Sequence, residues 1–168
     1  VAPNHLISSP DPNVALAWEC APLPVEVVVR SYLTGVTSTS VWSAYSRGER
    51  TFCGHQLPDG LRKNDPLPRA IVTPSTKAEK GGHDVSVSAA ELVASGVISE
   101  ADMARVSEMA LALFARGQAL CARQGLVLVD TKYEFGRLPE SRGGGIVVID
   151  EVHTPDSSRF WYAQSYAE

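Results

Sequence analysis

Leu126-Val127-Leu128-Val129-Asp130-Thr131-Lys132-Tyr133-Glu134-Phe135-Gly136 is the stretch that decides the fold. Its first four residues are continuously apolar, as in a strand covered on both faces. The alternation that follows places Asp130, Lys132 and Glu134 on one face. Pro139 to Gly145 reads as a turn, and Ile146-Val147-Val148-Ile149 as a returning strand ending at Asp150 and Glu151. A turn near Arg142 sets Glu134 roughly opposite Asp150. Like charges so placed repel unless something compensates. A divalent cation would do so, and magnesium often takes one or two carboxylates together with nucleotide phosphates. Spacing leaves a second reading open, in which the acids point apart or are neutralised by Lys132 and Arg142.

Working outward, two helices precede the hairpin. Ser88-Ala89-Ala90-Glu91 fits a capping box, with Gly96 as its stop. Ser99-Glu100-Ala101-Asp102 opens a second helix with acids in its first turn. Met103, Val106, Ala110, Leu113 and Leu120 recur at helical spacing as a buried stripe, and Gly125 ends the helix. Earlier still, Val25 to Arg30 is β-branched and strand-like. Thr34 to Ser40 reads as a loop, Val41 to Tyr45 as a short helix, and Gly54 to Pro74 as irregular chain. Residues 1–13 read as a connection. The division expected is a connecting, hinge-like segment over 1–24 and one lobe over 25–168.

The 168 residues are enough for one ordinary domain with a sizeable core. A hydrophobic share of 44% and a charged share of 20% exclude disorder and fibrous repeats. The net charge of -4 gives no support for nucleic-acid or membrane attraction, though local arginines can still build an anion pocket. Three widely spaced cysteines, Cys20, Cys53 and Cys121, argue against a disulfide framework and for reduced thiols in the cytoplasm. Cys53 and His55 have no second pair at zinc-like spacing. No apolar run approaches the roughly 18 residues of a membrane span. Val1-Ala2-Pro3-Asn4-His5 is not a signal peptide, and the missing starting methionine leads to the expectation of a chain cut at its front.

Three further groupings bear on chemistry. In Thr154-Pro155-Asp156-Ser157-Ser158-Arg159-Phe160-Trp161, the planar fork of Arg159 suits a phosphate or carboxylate; composition alone favours a surface turn with an aromatic anchor. Arg30 followed by Gly35-Val36-Thr37-Ser38-Thr39-Ser40 makes either a phosphate cradle or a solvated loop. Thr73-Pro74-Ser75-Thr76-Lys77-Ala78-Glu79, followed by His83-Asp84, offers Lys77 to an anion. No serine-hydrolase elbow, Walker loop, dinucleotide glycine motif or zinc-protease helix is present.

In their order, these blocks resemble those of the phosphoribosylaminoimidazole-succinocarboxamide synthase (SAICAR synthetase) family, from Val27-Val28-Val29-Arg30-Ser31-Tyr32-Leu33-Thr34-Gly35 to the Arg159 block. The resemblance implies an α+β fold, the larger lobe of an ATP-grasp-like enzyme, with a mixed or antiparallel sheet packed with helices. It implies an ATP-dependent ligase of purine biosynthesis that joins L-aspartate to carboxyaminoimidazole ribonucleotide through an acyl phosphate, with ATP and Mg2+ as cofactors. By motif match, Glu134 and Asp150 would hold magnesium beside ATP, and Glu19, Cys20, Ala21 and Leu23 would form the hinge that meets adenine. Arg30 and Arg159 would bind the ribonucleotide, chiefly its phosphate. Glu26, Asp130 and Lys132 would line the same site, Asp130 and Lys132 as catalytic groups, while Lys77, His83 and Asp84 would contact substrate.

The sequence departs from the family where Val36 follows Gly35, which passes the phosphate contact to Ser38 or Ser40. The family's β-rich front lobe, with its phosphate-binding lysine, and its C-terminal helices are not recognisable, so the isolated chain is expected to have little activity. A homo-oligomer is left open. The rival readings are another kinase-like or ATP-grasp enzyme and a non-catalytic nucleotide-binding module.

Overall fold

The computed structural model describes residues 1–76 and 86–167. In place of the plain connection expected over residues 1–13, β1 (Leu6–Asp11) and β2 (Val14–Ala17) form an exposed hairpin. The Asp11 carboxylate closes its turn by accepting from the Asn13 amide at 3.0 Å. Then come β3 (Ala21–Tyr32), α1 (Val41–Ser46), the short pair β4 (Thr51–Phe52) and β5 (His55–Gln56), and β6 (Pro66–Thr76). The chain continues through α2 (Ala89–Ala94), α3 (Glu100–Ala122), β7 (Leu126–Arg137), β8 (Ile146–Ile149), β9 (Ser158–Tyr162) and α4 (Ala163–Ala167).

The central sheet is antiparallel, in the order β6-β3-β7-β8. β7 is long enough to hold two strands on one edge, β9 along Leu126–Thr131 and β8 along Glu134–Arg137. This matches the expected α+β class. It also corrects one expectation: much of the stretch from Gly54 to Pro74 is strand, not irregular chain. β6 is an edge strand, where proline is tolerated. The Pro74 carbonyl accepts from the Val87 amide, so the side on which Pro74 lacks an N–H faces away from β3.

Both helix starts form as their caps dictate. Ser88 and Glu91 make the reciprocal capping box, and Ser99 accepts from the Asp102 amide. Helix α3 covers one face of the sheet. Met103, Val106, Ala110 and Phe114 pack against Val25, Val27, Val29, Tyr133 and Phe135. Leu120, expected in that stripe, is exposed. A face running through Met103, Val106, Ala110, Phe114 and Gly117 keeps the period of 3.6, and position 120 falls off it. A second core, around Leu33, Val41, Tyr45, Phe52, Leu67 and Ile71, anchors α1 and the β4–β5 pair.

The other face of the sheet is polar. Cross-strand partners share a face, so the pairings Glu26↔Glu134, Val28↔Lys132 and Arg30↔Asp130 put all six side chains together. A bulge in β7 starts this alternation. From Leu128 to Asp130 the strand advances two residues while β9 advances one. That shift lets Leu128 join the core and Asp130 face the polar side.

Candidate functional site

The polar strip has two oppositely charged ends. At the first, Asp130 lies between arginines on neighbouring strands. Arg30 donates through Nη1 to Asp130 Oδ2 at 3.0 Å and through Nε to Thr73 Oγ1 at 2.9 Å. From the other side Arg159 donates through Nε to Asp130 Oδ1 at 2.8 Å and through Nη2 to Oδ2, a bidentate grip. Burial pulls the Arg30 guanidinium below the ordinary arginine value, Asp130 supports it, and Arg159 opposes it. It stays a cation throughout the working range. Arg159 is far more exposed than Arg30, 41% against 13% of its side chain, so it presents the accessible charge. Together with Lys132 and Pro155, Asp156, Ser157 and Ser158 these groups line an open cavity of about 260 Å³.

At the second end the balance is reversed. Lys132 Nζ lies 3.1 Å from Glu26 and 3.0 Å from Glu134. Burial alone would lower the ammonium; the hydrogen bonds to Glu134 and Glu26 outweigh it and hold Lys132 above the ordinary lysine value. Lys132 is therefore a fixed positive charge and not a base. Glu134 faces Ile149 across the ladder, and Asp150 is the next residue beyond β8. Of the neutralising groups considered from spacing, Lys132 does pair with Glu134. Arg142 instead lies 3.7 Å over the Trp18 ring.

The segment expected to act as a hinge forms the wall of another open cavity, about 440 Å³, lined by Glu19, Cys20, Ala21 and Arg137–Glu140. Gly136 lets the segment approach, since a Cβ there would stand 2.9 Å from Cys20 Cβ. The Leu23 side chain points away into the core, which leaves only its backbone for a ligand. Arg137 braces the wall by binding Asp102 at 2.8 Å and the Gly144 carbonyl at 3.1 Å.

The hydroxyl loop is partly committed. Ser40 is buried and caps α1 by accepting from the Ser43 amide at 3.2 Å, while Ser38 is exposed. Lys77, His83 and Asp84 lie outside the described residues. Thr73, which steadies Arg30, was quoted in the sequence without a role; only the pairing of β6 with β3 shows that it faces the strip. Thr131, joined to Ser158 at 2.7 Å, was likewise quoted without a role.

A family model described as SAICAR synthetase matches residues 1–168. The chain belongs to the SAICAR synthetase family. The chloroplastic phosphoribosylaminoimidazole-succinocarboxamide synthase of Arabidopsis thaliana is 51% identical over the whole chain, which covers 40% of that protein. The Legionella pneumophila (strain Lens) synthase is also 51% identical over the whole chain, which covers 52% of it. The chain thus spans about half the length of the curated SAICAR synthetase relatives it matches. Among solved structures, the Saccharomyces cerevisiae SAICAR synthase complexed with SAICAR superposes with a TM-score of 0.79 at 31% identity. That match covers 98% of this chain and 57% of the yeast chain. A SAICAR synthetase in complex with ADP gives a TM-score of 0.75 at 27% identity, covering 98% of this chain and 60% of that one. Among the described residues no helix is long and apolar enough to cross a membrane.

Proposed function

We propose that the protein carrying this chain is an ATP-dependent ligase that condenses L-aspartate with carboxyaminoimidazole ribonucleotide to give SAICAR. The observation that carries the reading is the charge order of the strip: two guanidiniums around one carboxylate at one end, two carboxylates around one ammonium at the other. The first end carries net positive charge and suits the ribonucleotide phosphate. The second carries net negative charge and suits a cation bound with a nucleotide. Family membership and the SAICAR and ADP complexes of relatives support the same assignment.

In the reaction, a carboxylate oxygen of the ribonucleotide attacks the γ-phosphorus of ATP. ADP leaves and an acyl phosphate forms. The aspartate amine then attacks the acyl carbon, the C–N bond forms, phosphate departs and the nitrogen loses a proton. The chain's part is positioning and charge stabilisation. Arg159, with Arg30 behind it, holds the ribonucleotide phosphate, and Asp130 fixes the angle of both guanidiniums. Lys132 offsets charge on the acyl phosphate, and Ser38 is the exposed hydroxyl free to assist. The hinge from Glu19 to Leu23 meets adenine through its backbone. Glu134 and Asp150 fit magnesium, whose ordinary demand is one or two carboxylates completed by phosphate and water; when bound, the ion would neutralise the transferring phosphoryl group. The three free thiols support a reducing compartment such as the cytoplasm, although the Arabidopsis relative is named chloroplastic.

Phosphate release by the complete protein tests this directly. It should require ATP, the ribonucleotide and aspartate together, and Asp150→Asn should abolish it. Release that accepts unrelated carboxylates equally would favour a different ATP-dependent enzyme, and no turnover by a folded protein would favour a binding module.

A further inference from the structure

The loop between β8 and β9 serves both ends of the strip. It begins with Asp150, continues through the Thr154–Ser157 turn and delivers Arg159. Two of its non-glycine residues, Asp150 and His153, take left-handed backbone angles, with φ of 62° and 56°. Such residues persist where their surroundings over-determine them.

His153 is where this loop enters the core. Its Nε2 lies 2.6 Å from Tyr133 Oη, and the rings meet edge to face at 5.6 Å. Tyr133 sits on β7 between Lys132 and Glu134 but faces the opposite side, fully buried under α3. Burial pushes its phenol well above the ordinary tyrosine value, so the hydroxyl keeps its proton. Burial also lowers His153, so its partner is a neutral imidazole, and the tautomer sets which of the two donates. Gly117 of α3 supplies the seat. A Cβ at that position would stand 2.4 Å from His153 Cε1 and 2.8 Å from Nδ1. A glycine inside a long helix is unfavourable relative to alanine; here it makes room for the imidazole ring.

We infer that His153, seated on Gly117 and held by Tyr133, is a positioning residue for the ligase reaction, fixing the Asp150–Ser157 loop against the strand that carries Lys132 and Glu134. This inference rests on the ligase reading above. It acts on the far side of the sheet from substrate. The backbone hydrogen bond from the Lys132 amide to the Ser157 carbonyl, 2.9 Å, ties the other end of the loop to the same strand. Removing His153 would free the middle of the loop between Asp150 and Ser157.

The test is steady-state kinetics and thermal melting of the complete protein. His153→Ala and Tyr133→Phe should each raise KM for magnesium-ATP and for the ribonucleotide about tenfold, as losses of orienting contacts around ligands do. KM for aspartate should stay within about twofold of wild type. His153→Gln, which keeps a hydrogen-bonding amide near the Nε2 position, should recover most of the loss. Gly117→Ala should resemble His153→Ala, and in the double variant the clash with the imidazole is gone, leaving only the end of the Leu128 side chain, 2.8 Å from the new Cβ, to shift. Unchanged KM values in folded His153→Ala and Tyr133→Phe would overturn the inference. So would losses that track the fall in Tm equally for all three substrates. If Arg159→Ala and Asp150→Asn abolish turnover while the His153 variants do nothing, only this inference fails. If those two also leave turnover intact, the ligase reading fails with it.

Discussion

Glu26 and Glu134 stand directly opposite one another on adjacent strands, and Lys132 Nζ bridges them at 3.1 and 3.0 Å. The three residues form one unit, in which an ammonium offsets a repulsion that the strand register imposes. Lys132→Met should therefore lower stability by about 1 kcal/mol and turnover by about a hundredfold. The stability loss also has a pH signature. The folded lysine value is raised, so the contribution of Lys132 is complete below the unfolded value of roughly 10.4 and is lost as pH rises through the folded value. Urea titrations from neutral to strongly alkaline pH should show the difference between wild type and Lys132→Met shrinking at the alkaline end.

Arg30 and Arg159 share Asp130 but differ in burial, and their variants should separate accordingly. Arg30→Ala removes a mostly buried partner of a buried carboxylate and should cost about 3 kcal/mol of stability. Arg159→Ala removes an exposed partner and should cost about 1 kcal/mol or less while weakening ribonucleotide binding much more. Melting curves and binding isotherms on the two proteins check this.

Asp102 and Arg137 couple the start of α3 to the wall of the hinge cavity. The hydrogen bond from Arg137 holds the Asp102 carboxyl below the ordinary aspartate value, against some desolvation. Its contribution is present above the unfolded value of roughly 3.9 and is lost as pH falls through the folded value. Asp102→Asn should leave a protein whose stability falls less steeply on acidification, measured by denaturant melts between neutral pH and pH 3.

The approach of the segment proposed as the hinge depends on Gly136. Gly136→Ala places a Cβ 2.9 Å from Cys20 Cβ and 3.1 Å from Ile149 Cγ2, so hinge and sheet must part. Nucleotide affinity should fall about tenfold with little change in ribonucleotide affinity, read by calorimetry with ADP.

The parts of the structure legible in the sequence were those with local causes. Ser88, Ser99 and Gly125 punctuate the helices through caps and a left-handed stop, and the alternation of Asp130, Lys132 and Glu134 follows from the pleat. The long strand β6 was hidden because Pro66, Pro68 and Pro74 read as breakers, and only its place at the sheet edge makes them tolerable. Similarly, the hairpin over Leu6–Ala17 is short, with no alternation to announce it, and its apolar side chains Leu6, Ile7, Val14 and Leu16 stay exposed. The polar strip was legible as residues sharing one face but not as a set of pairs. That Asp130 would take up both arginines, and that Arg142 would stack on Trp18 instead of meeting an acid, depends on strand register and on contacts between distant segments. Gly117 in the middle of a long helix was the one local sign of the His153 seat.

Calorimetric titration of carboxyaminoimidazole ribonucleotide into the complete protein, wild type against Arg159→Ala, in the presence and absence of magnesium and ATP, is the most direct test. The charge order of the strip leads to saturable binding by the wild type, weakened at least tenfold in Arg159→Ala. Equal affinity in the two folded proteins, or no binding by either, would contradict it.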